Sequence, residues 1–170
     1  YDDVPWDFPV DLTDMDPTLI RLVNKSMFLD EDFTPKNLVK MKTLANGGVR
    51  QVDGTWQLRE ECAEALVELC DAARAEGHEL YLKSGYRSYG TQATVYANYL
   101  DRNNGVDDGY VAKPGSSEHQ SGYCADILNN KGAGLDRMNQ DFETEAEAYW
   151  MKENCARFGF ILRYPKDKED

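Results

Sequence analysis

The stretch REECAEALVELCDAARAEGHELYLKSGYRS, Arg59–Ser88, reads as helix, strand and turn in immediate succession. Cys62, Leu66, Leu69, Cys70 and Ala73 fall on one helix face, with Glu60, Glu61, Glu64, Glu68 and Asp71 outside that stripe. The pattern predicts an amphipathic helix over Arg59–Glu76, its apolar side turned to a core. Gly77 ends it, because glycine enters the left-handed conformation without a Cβ clash. Glu79–Ser84 then predicts a strand and Gly85-Tyr86-Arg87-Ser88 a turn. The Ser88 hydroxyl suits the N-cap of a second helix through Leu100, with Val95, Tyr96, Tyr99 and Leu100 apolar.

Working outward, residues 1–35 are rich in Asp and Pro and predict an extended arm packed on the domain. A short helix is expected near Asp16–Asn24, with Pro17 in its first turn. Residues 36–170 form the main domain. Within it Gly47-Gly48 marks a turn, and Asp53-Gly54 signals a hairpin between Val49–Val52 and Thr55–Leu58. Further on, Asp101–Gly109 is a polar loop, Val111–Gly122 a Gly/Ser-rich loop, and Tyr123–Leu128 a short strand. Thr144 and Glu147 have the spacing of a capping box for a third helix, Thr144–Phe158, with Gly159 as its stop. Phe160–Tyr164 predicts a closing strand. Hairpin signals without regular βαβ units favour an α+β fold, a small antiparallel sheet flanked by helices.

At 170 residues the chain fits one domain with a core of its own, and 41% hydrophobic against 29% charged residues is an ordinary globular balance. A net charge of −12 argues against a nucleic-acid partner, since phosphate binding needs a basic face. No run of 18 apolar residues is present. The first residue is Tyr1 rather than Met, so the missing export signal says little. The four cysteines, Cys62, Cys70, Cys124 and Cys155, match no zinc-finger spacing and read as small buried thiols. Cys62 and Cys70 sit too far apart on one helix to bridge, while a Cys124–Cys155 bridge stays open.

Two histidines can carry imidazole chemistry. His78, after Gly77, reads as an exposed turn residue. His119 stands in a polar loop that runs straight into a strand carrying Asp126. A carboxylate on a buried strand needs a cation or several donors to offset its desolvation. A metal shared with the imidazole would supply that, although a His seven residues before an Asp is weak evidence by spacing alone.

The pattern Ser117-x-His119-x-x-Gly122-x-x-x-Asp126 resembles the metal motif of the VanY-type D-alanyl-D-alanine carboxypeptidases. Ser84–Ser88 with Gln92 and Tyr96, Val111–Gln120, and Trp150 with Asn154, Gly159-Phe160 and Arg163-Tyr164-Pro165 resemble three further blocks of that family, in order. The resemblance covers roughly residues 19–166 and implies the Hedgehog/DD-peptidase-like zinc carboxypeptidase fold. It also implies that His119 and Asp126 ligate Zn2+, and that Arg87 is catalytic and binds a substrate carboxylate or carbonyl. Gln92 and Ser117 would bind the same substrate. Trp150, Phe160 and Tyr164 are left as core aromatics.

The implied activity is hydrolysis of the terminal D-alanine of peptidoglycan stem peptides, with no nucleic acid and no soluble cofactor. The implied setting is the extracellular face or cell wall of a bacterium, with a membrane tether outside this chain left open. An L,D-carboxypeptidase acting on tetrapeptide stems and a non-catalytic peptidoglycan-binding module are the alternatives. Two departures from the family stand out. Cys124 occupies a position where the family has Ala, and is expected to fill space. The family's Glu-Pro-Trp-His segment, which brings the third ligand and the general base, is absent before Asp170. The chain alone is therefore expected to bind zinc weakly and to have little activity.

Overall fold

The computed structural model describes residues 28–41, 48–52, 54–131, 142 and 144–163. In chain order these form β1 (Leu38–Lys40), β2 (Arg50–Gln51), β3 (Gln57–Arg59), α1 (Glu60–Ala75), β4 (Leu80–Ser84), α2 (Tyr89–Arg102), β5 (Asp126–Asn129) and α3 (Ala146–Asn154). Single 3-10 turns occupy Glu118–Ser121 and Cys155–Phe158.

The predicted apolar stripe of α1 is its buried face: Cys62, Ala63, Leu66, Leu69, Cys70 and Ala73. The helix ends where Gly77 turns to φ +88°. β4 alternates as its sequence demands, with Leu80, Leu82 and Ser84 buried. Leu58, Leu66, Leu82 and Leu128 are almost wholly buried, and Trp150 and Met151 of α3 join the same core. Each such leucine contributes about 1.5–3 kcal/mol by leaving water. All four cysteines are free, so no Cys124–Cys155 bridge forms.

β4 is the middle of a three-stranded sheet ordered β2-β4-β5, and β1 pairs with β3 in a separate two-stranded sheet. The α+β class stands, with one difference in detail. β2 runs parallel to β4, whereas β4–β5 and β1–β3 are antiparallel. The expected Val49–Leu58 hairpin therefore does not form. Asp53 of the Asp-Gly signal lies outside the described residues; on either side of it Trp56 N donates to the Gln51 side chain and Trp56 Nε1 to the Val52 carbonyl. Long-range pairing then takes the two arms apart, β2 onto β4 and β3 onto β1. A local turn signal does not by itself choose the partner strand.

Two further expectations fail near the C-terminus. The N-cap of α3 is Glu145, with no side-chain cap bond. Glu147 is engaged elsewhere, accepting from Asn129 Nδ2 at 3.1 Å and lying 3.8 Å from His78 Nδ1. Residues 160–163 form no strand. Phe160 N instead closes the preceding turn on Cys155 O at 3.1 Å, after Gly159 at φ +80°, and Ile161 is 77% exposed. Tyr164, the proposed helix near Asp16–Asn24 and most of the 1–35 arm lie outside the described residues. From that arm, Leu29 is buried and its amide donates to Gly115 O at 2.8 Å. No helix among the described residues is long and apolar enough to cross a membrane.

Candidate functional site

The end of β4 and the start of β5 face one another, with Ser84 paired to Asp126 after an irregularity in the register. Immediately beyond β4 the chain passes hard against β3. A Cβ on Gly85 would stand 2.6 Å from Gln57 O, so only glycine fits that approach. Tyr86 N donates to the same carbonyl at 2.7 Å, leaving the Gly85 carbonyl free to accept from His119 Nδ1, also at 2.7 Å.

The segment that carries His119 is fastened from the other side. Arg59 N donates to Gly122 O at 3.0 Å and Arg59 Nε to Ser121 O at 3.1 Å. The Arg59 guanidinium lies 4.9 Å from the centre of the Tyr123 ring, and Tyr123 donates its hydroxyl hydrogen to Glu61. Gly122 closes the turn at φ +79°, with space for a Cβ only 3.0 Å from Arg59 Cγ. The polar Ser117–Gly122 turn is thus held by main-chain and side-chain bonds to the β3–α1 junction.

With Nδ1 committed to Gly85, Nε2 of His119 points at Asp126 Oδ2, 3.2 Å away. Ser84 Oγ hydrogen-bonds the same carboxylate oxygen, and Arg87 lies 3.7 Å from it. Burial pulls the His119 pKa down, but bonding and charge from Asp126, with bonding from Cys124, outweigh it and push the imidazole up to about 10. Burial likewise raises Asp126. His119 above all, then Ser84 and Arg87, reverse that and hold the carboxyl below its usual range.

Arg87 links this pair to the second helix. It donates from NH1 to Gln92 Oε1 at 2.9 Å and from NH2 to Ser84 Oγ at 3.2 Å, and its own amide donates to His119 O at 3.2 Å. Gln92, 1% exposed, uses its other end to donate to Ala112 O at 2.7 Å, so it is a bridge rather than a cap. Ser88 does cap α2, accepting from Thr91 N.

His119, Asp126, Arg87 and Gln92 are therefore one connected group. Ser117 is buried beside them and makes no capping bond. Cys124 is a half-buried free thiol on the same side of the site, and its proximity is among the influences that raise the His119 pKa. His78 is half-buried and paired with Glu147 rather than free in a turn. Two members lay in the Ser84–Ser88 block without being given a role from sequence: Ser84, which ends the strand, and Gly85, through its carbonyl. Next to His119 in the chain, Glu118 faces Arg163 with contacts of 3.1 and 3.4 Å.

The arrangement fits a metal. Two ligands about 2.0–2.1 Å from a tetrahedral zinc stand roughly 3.3 Å apart, close to the observed 3.2 Å. The Nδ1–Gly85 bond fixes the tautomer that leaves Nε2 to coordinate, as is usual for metal-bound histidine. Among the described residues no group of three or more His, Cys, Asp and Glu side chains is placed to hold a metal; His119 and Asp126 bring together two donors of the kinds zinc takes.

Residues 55–170 match the family model described as D-alanyl-D-alanine carboxypeptidase, VanY. The putative carboxypeptidase YodJ of Bacillus subtilis is 36% identical over 153 residues, covering 89% of this chain and 55% of the relative. The chain thus spans about half of that relative's length. Among solved structures, the LdcB LD-carboxypeptidase superposes with a TM-score of 0.73 at 35% identity, covering 86% of this chain and 67% of the other. A vancomycin-resistance D,D-pentapeptidase VanY in complex with Zn(II) gives 0.59 at 29% identity, covering 86% and 77%. The chain belongs to the VanY family of D-alanyl-D-alanine carboxypeptidases.

Proposed function

We propose that the protein is a zinc-dependent D-alanyl-D-alanine carboxypeptidase that removes the terminal D-alanine from peptidoglycan stem peptides at the bacterial cell wall or surface. The observation that carries this reading is the convergence of His119 Nε2 and Asp126 Oδ2 at 3.2 Å, with Nδ1 already tied to Gly85. The Zn(II) complex of the related VanY structure supports the choice of metal.

His119 and Asp126 are the residues that would hold the zinc. When bound, it supplies Lewis-acid polarisation of the scissile carbonyl and lowers the pKa of attacking water. The other residues act on substrate and geometry. Gln92 and Ser84 each accept one bond from Arg87. The guanidinium's remaining donors can then take the peptide's carboxylate or the charge growing on its carbonyl oxygen. Gln92 fixes the Arg87 rotamer and ties it to the 111–116 wall through Ala112. Ser84 holds the Asp126 carboxylate in orientation. Ser117, buried two residues before His119, would bond the substrate near its terminal residue.

The test is release of D-alanine from a stem pentapeptide ending in D-Ala-D-Ala, using protein expressed from its full coding sequence, with and without a chelator. Zinc-dependent release is the expected result. Peptide binding without release under zinc would contradict the hydrolase reading and favour a binding module.

The 0.73 superposition on an LD-carboxypeptidase supports a second reading, cleavage of tetrapeptide stems. Preferential hydrolysis of a tetrapeptide over the pentapeptide would establish it instead.

A further inference from the structure

A cavity of about 280 Å³ lies beside the site, bounded by Phe28, Val111, Ala112, Ser116 and the charged pair Asp107 and Lys113. None of these residues takes part in holding His119 or Asp126. We propose that this cavity receives the side chain of the diamino acid in the stem peptide, and that Asp107 and Lys113 select a tip bearing both an ammonium and a carboxylate, as diaminopimelate does. This rests on the peptide-substrate reading above.

Two connections place the cavity within reach of the same peptide. Ser116 precedes His119 by three residues, so their Cα atoms are at most about 11 Å apart. Gln92 ties Arg87 to the cavity wall with bonds of 2.9 Å to the guanidinium and 2.7 Å to Ala112 O. A carboxypeptidase leaves one residue beyond the scissile bond. The diamino residue therefore lies on the acyl side, and the cavity is within about three extended residues of His119.

The chemistry of the walls is divided. Phe28, 49% exposed, and the half-buried Val111 offer apolar surface for a methylene chain. The charged end is built on Asp107, which accepts from Tyr96 Oη at 2.9 Å and from Gly109 N at 3.1 Å. Lys113 Nζ sits 3.2 Å from the same carboxylate on a side chain that is 57% exposed. A zwitterionic tip can lay its ammonium on Asp107 and its carboxylate on Lys113, so both protein charges keep an opposite neighbour. A lysine tip brings only the ammonium and sets it against Lys113. Like charges in contact disfavour that arrangement.

The test is calorimetric binding of two tripeptides, L-Ala-D-Glu-diaminopimelate and L-Ala-D-Glu-L-Lys, to the zinc-loaded protein expressed from its full coding sequence. Neither carries a terminal D-alanine, so neither is cut. The diaminopimelate peptide should bind about fivefold more tightly, the upper end for an exposed charge pair. Lys113→Gln should erase that preference by weakening the diaminopimelate peptide alone. Asp107→Asn should weaken both peptides alike.

Equal binding of the two tripeptides, no binding of either, or an equal loss for both in Lys113→Gln overturns the proposal. D-alanine release from the pentapeptide, measured in parallel, separates the two readings. Release without the preference leaves the hydrolase standing and removes the subsite. The preference without release supports the subsite and counts against the hydrolase.

Discussion

Near each end of β4 a histidine from a neighbouring segment faces a carboxylate, and the two pairs are built differently. At the far end His119 is 11% exposed in its side chain, lies 3.2 Å from Asp126, and has its second nitrogen bonded to Gly85 O. Ser84 and Arg87 attend the same carboxylate. At the near end His78 is 23% exposed and 3.8 Å from Glu147, whose other oxygen accepts from Asn129. An imidazole next to an acid is common and by itself inert. The far pair differs in being oriented on both sides, the imidazole by Gly85 and the carboxylate by Ser84 and Arg87, so the fold itself sets the Nε2–carboxylate geometry.

The largest effect expected from breaking this contrast is on Asp126→Asn. Zinc affinity measured by calorimetry should fall by more than the ~10–100-fold that loss of an outer-shell partner costs. Glu147→Gln, the matching change at the other end of the strand, should leave zinc binding where it was. Ser84→Ala removes the carboxylate's orienting bond without touching a ligand. It should lower zinc affinity by about 10–100-fold, with a stability change of only about 1 kcal/mol.

The metal-free protein should show the contrast in its pH dependence. His119 is raised from 6.5 to about 10, so its contribution is fully present below pH 6.5 and is lost as pH rises through about 10. Asp126 is lowered from 3.8, so its contribution is present above that value and is lost as pH falls through its folded pKa. Thermal melting of chelator-treated protein should therefore peak between about pH 4 and 6.5 and fall on both sides. His119→Gln should flatten the alkaline limb. The smallest effect belongs to His78→Gln, within about 1 kcal/mol by denaturant melting, because a long, partly exposed pair contributes little.

Much of this contrast was legible in the residues, and the parts that were not share a cause. The apolar spacing through Cys62–Ala73 and the Gly77 stop fixed α1, and the alternation Leu80–Ser84 fixed β4, because both signals are local. His119 and Asp126 stood out as a pair through a motif rather than through spacing. Ser84 and Gly85 stood in a matching block but without a role, since a serine closing a strand and a glycine in a turn acquire roles only when β3 and the His119 turn pack against them. The errors also came from distant contacts overriding local grammar. The arms flanking the Asp53-Gly54 signal did not pair with each other, because β2 joined β4 and β3 joined β1. The Thr144/Glu147 box gave way because the Glu147 carboxylate reached Asn129 and His78.

The most direct test of the account is a crystal of the zinc-soaked protein examined at the zinc absorption edge. The account predicts an anomalous peak shared by His119 Nε2 and the Asp126 carboxylate, lost in Asp126→Asn. A peak at His78 and Glu147 instead, or none between His119 and Asp126 at saturating zinc, would contradict it.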